Sequence, residues 1–276
     1  MLGERLVSVR DQLFTNRALA CRVPHDEEGV PAFQTMTIAT AHPAGWTWDI
    51  GLAEGRGSAP SIRMRIWVTT RRWPRWRHIW VVILEPLEPR LLSFEPGYRR
   101  RPWIGNCVAV GLAGGFLEPL ESTGIVLIEA AVAMLAELFP HHGPVAAPAA
   151  RFNMLMTARY QTIADFLKLH YCLSRRDEPF WRDNGDPGSI SERLRDLLDQ
   201  WRYRPPGRFD FTLDVESFAY FNYQYILYGM GFAERDRTPA GSSGEAERLF
   251  RKLRLFGDRA VADLPSHGDL VAAMRG

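Results

Sequence analysis

Cysteine is scarce in this 276-residue chain, and its three copies, Cys21, Cys107 and Cys172, lie far apart. An odd number at such spacing argues against a disulfide framework and offers no metal-ligand pattern. Reduced thiols in a cytoplasmic protein without a metal are therefore expected. The opening residues lack a cationic stretch followed by an apolar run, so no secretory leader is read there. No uncharged run is long enough to cross a bilayer, because the most apolar segment, GIVLIEAAVAMLAELF, carries Glu129 and Glu137. A soluble protein that does not enter membranes is the expectation. Internal repeats are absent, and so is the Gly-x-Gly-x-x-Gly order of a dinucleotide-binding turn. Acidic residues are missing altogether from Gly57 to Leu84.

What is present begins with a core. The chain is 46% hydrophobic and 12% aromatic, enough for one large domain or two small ones. The formal charge of +2 hides an uneven distribution: residues 57–84 hold six arginines and no acid, so the remainder sums to −4. Within that block, RIWVTTRRWPRWRHIWVV (65–82) contains four of the nine tryptophans. Taken alone it reads as a surface for nucleic acid or anionic lipid, and a non-enzymatic binding protein is one function to weigh.

Residues 5–52 read as short β segments, RLVSV, RALACRV and QTMTIAT, separated by the turn-rich HDEEGVP and AHPAG. From Gly105 the texture changes. NCVAVGLAGG reads as an apolar strand running into a glycine-rich turn. FLEPLEST then leads into a helix from Gly124 to Phe139, stopped by Pro140 and apolar nearly all round, which predicts burial between layers. After the loop HHGPVAAPAA, Tyr160, Ile163, Leu167 and Tyr171 stand at helical spacing. Ser189 to Glu192 makes a capping box before Leu194, Leu197, Leu198 and Trp201. Val215 to Tyr228 reads as an aromatic helix closed by Gly229, and Glu245 to Phe256 as a charged surface helix.

A strand, a glycine-rich turn and a helix start can hold an anion or cofactor, because glycine lets backbone approach a ligand and the first helical N–H groups are unpaired. GLAGG fits that description, and it fits a tight strand–helix packing turn equally. Glu118 and Glu121 flank Pro119 and Leu120, with Ser122 or Thr123 as N-cap, so capping electrostatics alone could account for the carboxylates.

NCVAVGLAGGFLEPLESTG (106–124) closely resembles the signature of the flavin-dependent tryptophan halogenases. GWTWDIGL (45–52) is similar to the family's Trp-x-Trp-x-Ile-Pro element. RFNMLMTARYQTIADFLKLHYCLSRRDEPFW (151–181), YQYILYGMGF and LPSHGDL resemble its later elements. The resemblance implies reduced FAD, oxygen and chloride or bromide, which together yield hypohalous acid. A lysine and a glutamate then direct electrophilic halogenation of tryptophan or another indole.

Carried over, the glutamate is Glu121. Gly111, Gly114, Gly115, Phe116, Leu117 and Ser122 match the flavin edge, Ser122 linking it to the substrate site. Thr123 and Gly124 match the halide position. Trp46 and Trp48 match the tryptophans that keep substrate from the flavin. Phe218, Phe221 and Tyr223 lie where the family stacks its indole, with core packing as the alternative for these three. The partners implied are an indole-type small molecule and a flavin reductase, not nucleic acid; a homodimer stays open. An ordinary flavin-dependent aromatic monooxygenase shares the turn but does not explain Trp46, Trp48 and Glu121 together.

The expected fold is an α+β portion of an FAD-dependent monooxygenase-like α/β fold, a partial sheet followed by a helical substrate module. Residues 1–123 would be the later part of the flavin and sheet module, and 124–276 the substrate-binding module. Departures accompany the match. Family members are about twice as long, and the only lysines here, Lys168 and Lys252, are not in the context of the family's catalytic lysine. Gly51 replaces the element's proline. Residues Ala59 to Ile83 do not resemble the family at all. Read with the third base of each codon joined to the next two, Pro60 to Val82 can become IYSDAYLGDDAAMAALAAYLGGD, a strand and an alanine-rich helix of the family's kind. A compensated double frameshift is the expectation for this block.

Overall fold

A computed structural model describes residues 3–23, 36–52, 55–62, 90–212, 216–232 and 243–275. The strands in chain order are β1 (Leu6–Ser8), β2 (Arg17–Val23), β3 (Ile38–His42), β4 (Gly45–Leu52), β5 (Gly55–Ile62), β6 (Arg90–Ser93), β7 (Gly97–Arg99), β8 (Trp103–Ile104), β9 (Cys107–Val108) and β10 (Gly115–Phe116). The helices are α1 (Thr123–Leu138), α2 (Ala146–Cys172), α3 (Pro179–Gly185), α4 (Glu192–Trp201), α5 (Tyr220–Gly229), α6 (Ser243–Asp263) and α7 (His267–Arg275).

The largest sheet is antiparallel, in the order β3-β4-β5-β2-β6. His42 pairs with Gly45 across the turn of a tight hairpin, which puts Pro43 and Ala44, the centre of AHPAG, at its tip. Side chains alternate along a strand, so Trp46 and Trp48 share one face, their rings 5.6 Å apart. The segment HDEEGVP and most of the Arg/Trp block, residues 63–89, lie outside the described residues.

The strand β7 is flanked by β1 and β10. Gly115 sits opposite Tyr98, and a Cβ there would stand 2.7 Å from both the Gly97 carbonyl oxygen and the Tyr98 Cα. That strand approach requires glycine. NCVAVGLAGG is therefore no continuous strand: β9 ends at Val108, and Gly111, at φ +62, opens a 3-10 turn over Gly111–Ala113.

Helix α2 is the spine. Phe152, Met156, Tyr160, Ile163, Leu167 and Tyr171 pack into one cluster with Trp46, Tyr98 and Trp103, while Phe166 and Leu169 face a second cluster with Leu194, Trp201 and Tyr223. Each fully buried apolar side chain contributes about 1.5–3 kcal/mol. Asn153 clamps the helix to β8, accepting from the Trp103 N–H at 2.8 Å and donating to its carbonyl at 2.9 Å.

Several boundaries differ from the sequence expectation. The start of α2 at Ala146 takes in half of the expected loop, since Pro148 in a first turn forfeits no helical bond. The cap of α4 is Ser191, which accepts from the Leu194 N–H at 3.0 Å; the Ser189 hydroxyl is turned onto the Asp186 carbonyl at 2.7 Å. The aromatic helix α5 begins at Tyr220 rather than Val215, after Asn222 accepts from the Ala219 N–H. The charged helix runs on to Asp263. Helix α1 buries only Thr123, Leu127 and Ala131 fully and leaves Ile125, Val126, Ile128 and Val132 exposed, so among the described residues one stripe is covered rather than all sides.

Candidate functional site

The segment joining β10 to α1 turns on two consecutive left-handed residues that are not glycine, Glu121 at φ 62 and Ser122 at φ 51. Such backbone costs of the order of 1–3 kcal/mol per residue and concentrates at functional positions. A left-handed residue followed by the right-handed Thr123 points successive N–H groups into a concavity suited to an anion. The Ser122 side chain makes no capping hydrogen bond, contrary to the N-cap reading, because its own φ/ψ is left-handed rather than extended. Thr123 is buried, whereas Gly124 is open, with nothing within 4 Å of where a Cβ would stand.

Glu121 and Ser122, with Trp46, Trp48, Ile50 and Leu120, line a cavity of about 440 Å³. Four sequence-derived candidates thus converge on one space. Glu121 accepts at Oε1 from Nε2 of His170, 3.0 Å away. His170 falls beside the periodic stripe that ends at Tyr171, and periodicity carries no sign of its role.

Beneath the cavity runs a buried polar chain. The Trp46 indole N–H donates to the Tyr171 hydroxyl oxygen at 2.8 Å, and the Tyr171 O–H donates to Glu118 Oε1 at 2.7 Å. Thr15 donates to the other oxygen of Glu118. Burial pushes the Glu118 carboxyl up, against the pull of Thr15, Tyr171 and the charges of His170 and Lys168. Burial, reinforced by Glu118, drives the Tyr171 phenol well above its ordinary value. Lys168 is fully buried, 3.0 Å from the Asn184 side-chain oxygen and over the Phe14 ring.

The remaining candidates are distributed around this centre. Gly114, Gly115 and Leu117 are buried, and the space beside both glycines is filled by the chain's own backbone. Phe116 stands edge-on to Phe94 at 5.1 Å. Gly111 supplies the positive φ that lifts Leu112 into solvent, 81% exposed. The turn is therefore closed at Gly114 and Gly115 and open at Gly124. Phe218 stacks on Phe166 at 3.9 Å, and Phe166 stands edge-on to His170 at 5.0 Å. Tyr223 is fully buried in the second core cluster, and Phe221 is 59% exposed; neither lines the cavity. Among the described residues no group of three or more His, Cys, Asp or Glu side chains could hold a metal ion, and no helix is long and apolar enough to cross a membrane.

Residues 1–244 match the family description of tryptophan halogenase. Tryptophan 6-halogenase ThaL of Streptomyces albogriseolus is 33% identical over all of this chain and 55% of its own length. Tryptophan 7-halogenase RebH of Lentzea aerocolonigenes is 31% identical over 86% of this chain and 47% of its own. The crystal structure of a tryptophan halogenase from Shewanella frigidimarina superposes with a TM-score of 0.88 at 33% identity, covering 98% of this chain and 53% of that one. The chain spans about half the length of the relatives it matches.

Proposed function

The chain belongs to the tryptophan halogenase family, and from that premise we propose that it is the substrate-side portion of a flavin-dependent halogenase acting on tryptophan or another indole. The observation that carries this reading is the convergence of Trp46, Trp48, Glu121 and Ser122 on one cavity at a left-handed turn. Bound against this turn, reduced FAD would supply the oxidised halogen, as hypohalous acid, from oxygen and chloride or bromide. Glu121 orients the electrophile: the indole π electrons form the carbon–halogen bond as the halogen–oxygen bond breaks and hydroxide leaves. Glu121 then accepts the ring proton, so that the C–H electron pair restores aromaticity and proton and hydroxide depart as water. Thr123 and Gly124, at the start of the helix, suit the halide by their N–H groups. Gly111, Gly114, Gly115, Phe116, Leu117 and Ser122 form the flavin edge, Gly114 and Gly115 by shaping the turn. Trp46 and Trp48 wall the substrate from the flavin, while Phe218, stacked on Phe166, lies outside the cavity lining. A flavin reductase would supply the FADH2, and the enzyme would work in the cytoplasm.

The chain alone is expected to be inactive, because dinucleotide binding and the lysine of the family come from sequence it does not contain. The test is mass spectrometry of an indole incubated with bromide, reduced FAD and purified chain, with and without the flavin-binding portion of a relative. Halogenation only in the mixture supports the proposal. Product from the chain alone overturns the inactivity, and no product in any mixture overturns the halogenase reading.

We also infer that the block from Ala59 to Ile83 is a displaced reading frame. Its first residues supply support, since Pro60 falls within β5, a central strand, where a residue without an N–H is out of place. The ladder pairs Ala18 with Ser61 and Cys21 with Ser58, but skips Leu19 and Ala20, opposite Pro60 and Ala59. Resequencing the gene tests this: compensating insertions and deletions at the two ends are expected, and an intact frame overturns it.

A further inference from the structure

The Glu121 carboxylate is not held by its own turn. Among the described residues its hydrogen bond is the one from His170, on the last turn of α2, at 3.0 Å. The other ring nitrogen, Nδ1, lies 2.9 Å from the main-chain carbonyl oxygen of Phe166. A carbonyl has no proton to give, so a hydrogen bond on that side has Nδ1 as its donor. An ionised carboxylate has none either, so a hydrogen bond to Glu121 has Nε2 as its donor. Nδ1 faces an atom that can neither give nor take its proton, which bars passage of a proton through the ring. His170 is a fixed donor and not a relay.

The ring is also fixed in orientation. Phe166 stands at 90° to it with centroids 5.0 Å apart, and the His170 side chain is 17% exposed against 35% for Glu121. His170 also lines a second cavity of about 660 Å³ together with Trp181, Arg176 and Met230, while its partner Glu121 lines the first.

We infer that His170 is the positioning residue of the site: it tethers Oε1 of Glu121 by a charge-assisted hydrogen bond and leaves Oε2 for the ring proton. The left-handed backbone of Glu121 aims the side chain toward α2, and His170 fixes where it ends. This inference rests on the halogenase reading of Glu121, but its geometry is testable without turnover.

The test uses the full chain labelled with ¹⁵N-histidine, His170 being assigned by loss of its signals in His170→Gln. The expected spectrum shows a hydrogen-bonded Nε2–H on His170 that is lost or shifted in Glu121→Gln. A bare Nε2 in the wild type, or an Nε2 indifferent to Glu121→Gln, overturns the pairing. In a halogenating mixture His170→Ala should lower kcat about tenfold or more with KM unchanged, and His170→Gln, which keeps a donor, should recover most of it. Equal kcat in His170→Ala and wild type overturns the positioning role. A wild-type mixture that makes no product defeats the halogenase reading instead, and the nitrogen spectra still decide the pairing.

Discussion

The indole N–H of Trp46 donates to the hydroxyl oxygen of Tyr171 at 2.8 Å, although the two residues are 125 positions apart. That bond fastens the cavity wall on β4 to the spine helix, and the Tyr171 proton carries the chain on to Glu118. Tyr171→Phe leaves a buried indole N–H and a buried carboxyl short of a partner. A loss of about 2–4 kcal/mol is expected in urea unfolding, with an unchanged slope. A loss below about 1 kcal/mol would mean that the chain is incidental.

Glu118 makes stability depend on pH. Its carboxyl is raised by burial above 4.5, so the folded state holds the proton more tightly than the unfolded one. The associated stability is fully present below the unfolded value and is lost as pH rises through the folded one. Wild type should therefore lose stability relative to Glu118→Gln as pH is raised from acid toward neutral. Denaturation curves across that range check it, and a constant difference contradicts it.

Asp210 behaves in the opposite sense. Burial raises it, but the hydrogen bonds from Arg204, the Gly207 N–H and the Trp201 indole outweigh burial and take it down to about 2 from 3.8. Its contribution is present above the unfolded value and lost as pH falls through the folded one. Asp210→Asn should cost about 1–2 kcal/mol at pH 7, a figure reduced for the exposure of Arg204, and close to nothing near pH 2. Parallel urea titrations at the two pH values measure the difference.

The glycines of the turn should separate by mutation. Gly115→Ala sets a methyl group against Gly97 and Tyr98 backbone, which cannot rotate away, and should cost about 1–3 kcal/mol. Gly124→Ala meets open space and should leave the melting temperature unchanged or slightly raised. Equal effects would show that strand approach is not what selects Gly115.

The sequence carried these relationships unequally. The element GWTWDIGL stood out by its resemblance to the family's Trp-x-Trp element rather than by a strand pattern, and β4 covers it end to end. The stripe Tyr160, Ile163, Leu167 and Tyr171 was legible from its helical spacing, and all four residues are buried. His170 was not, since a histidine one position off an apolar stripe is indistinguishable from a helix-end side chain until Glu121 is brought to it from 49 residues away. The left-handed pair Glu121 and Ser122 was equally hidden, because neither residue type signals a positive φ. The start of α5 was misjudged because β-branched and aromatic residues from Val215 onward fit a helix pattern, whereas the N-terminal cap lies at Ala219 and Asn222.

Glu121 is proposed to serve halogenation within the cavity it shares with Trp46, Trp48 and Ser122. The most direct measurement compares wild type with Glu121→Gln in the halogenating mixture, following brominated indole by mass spectrometry under equal folding and equal substrate. A fall in turnover of about a hundredfold or more is predicted, because the ring proton loses its acceptor. Unchanged turnover in Glu121→Gln, or hydroxylated product in place of brominated product from the wild type, would contradict the account.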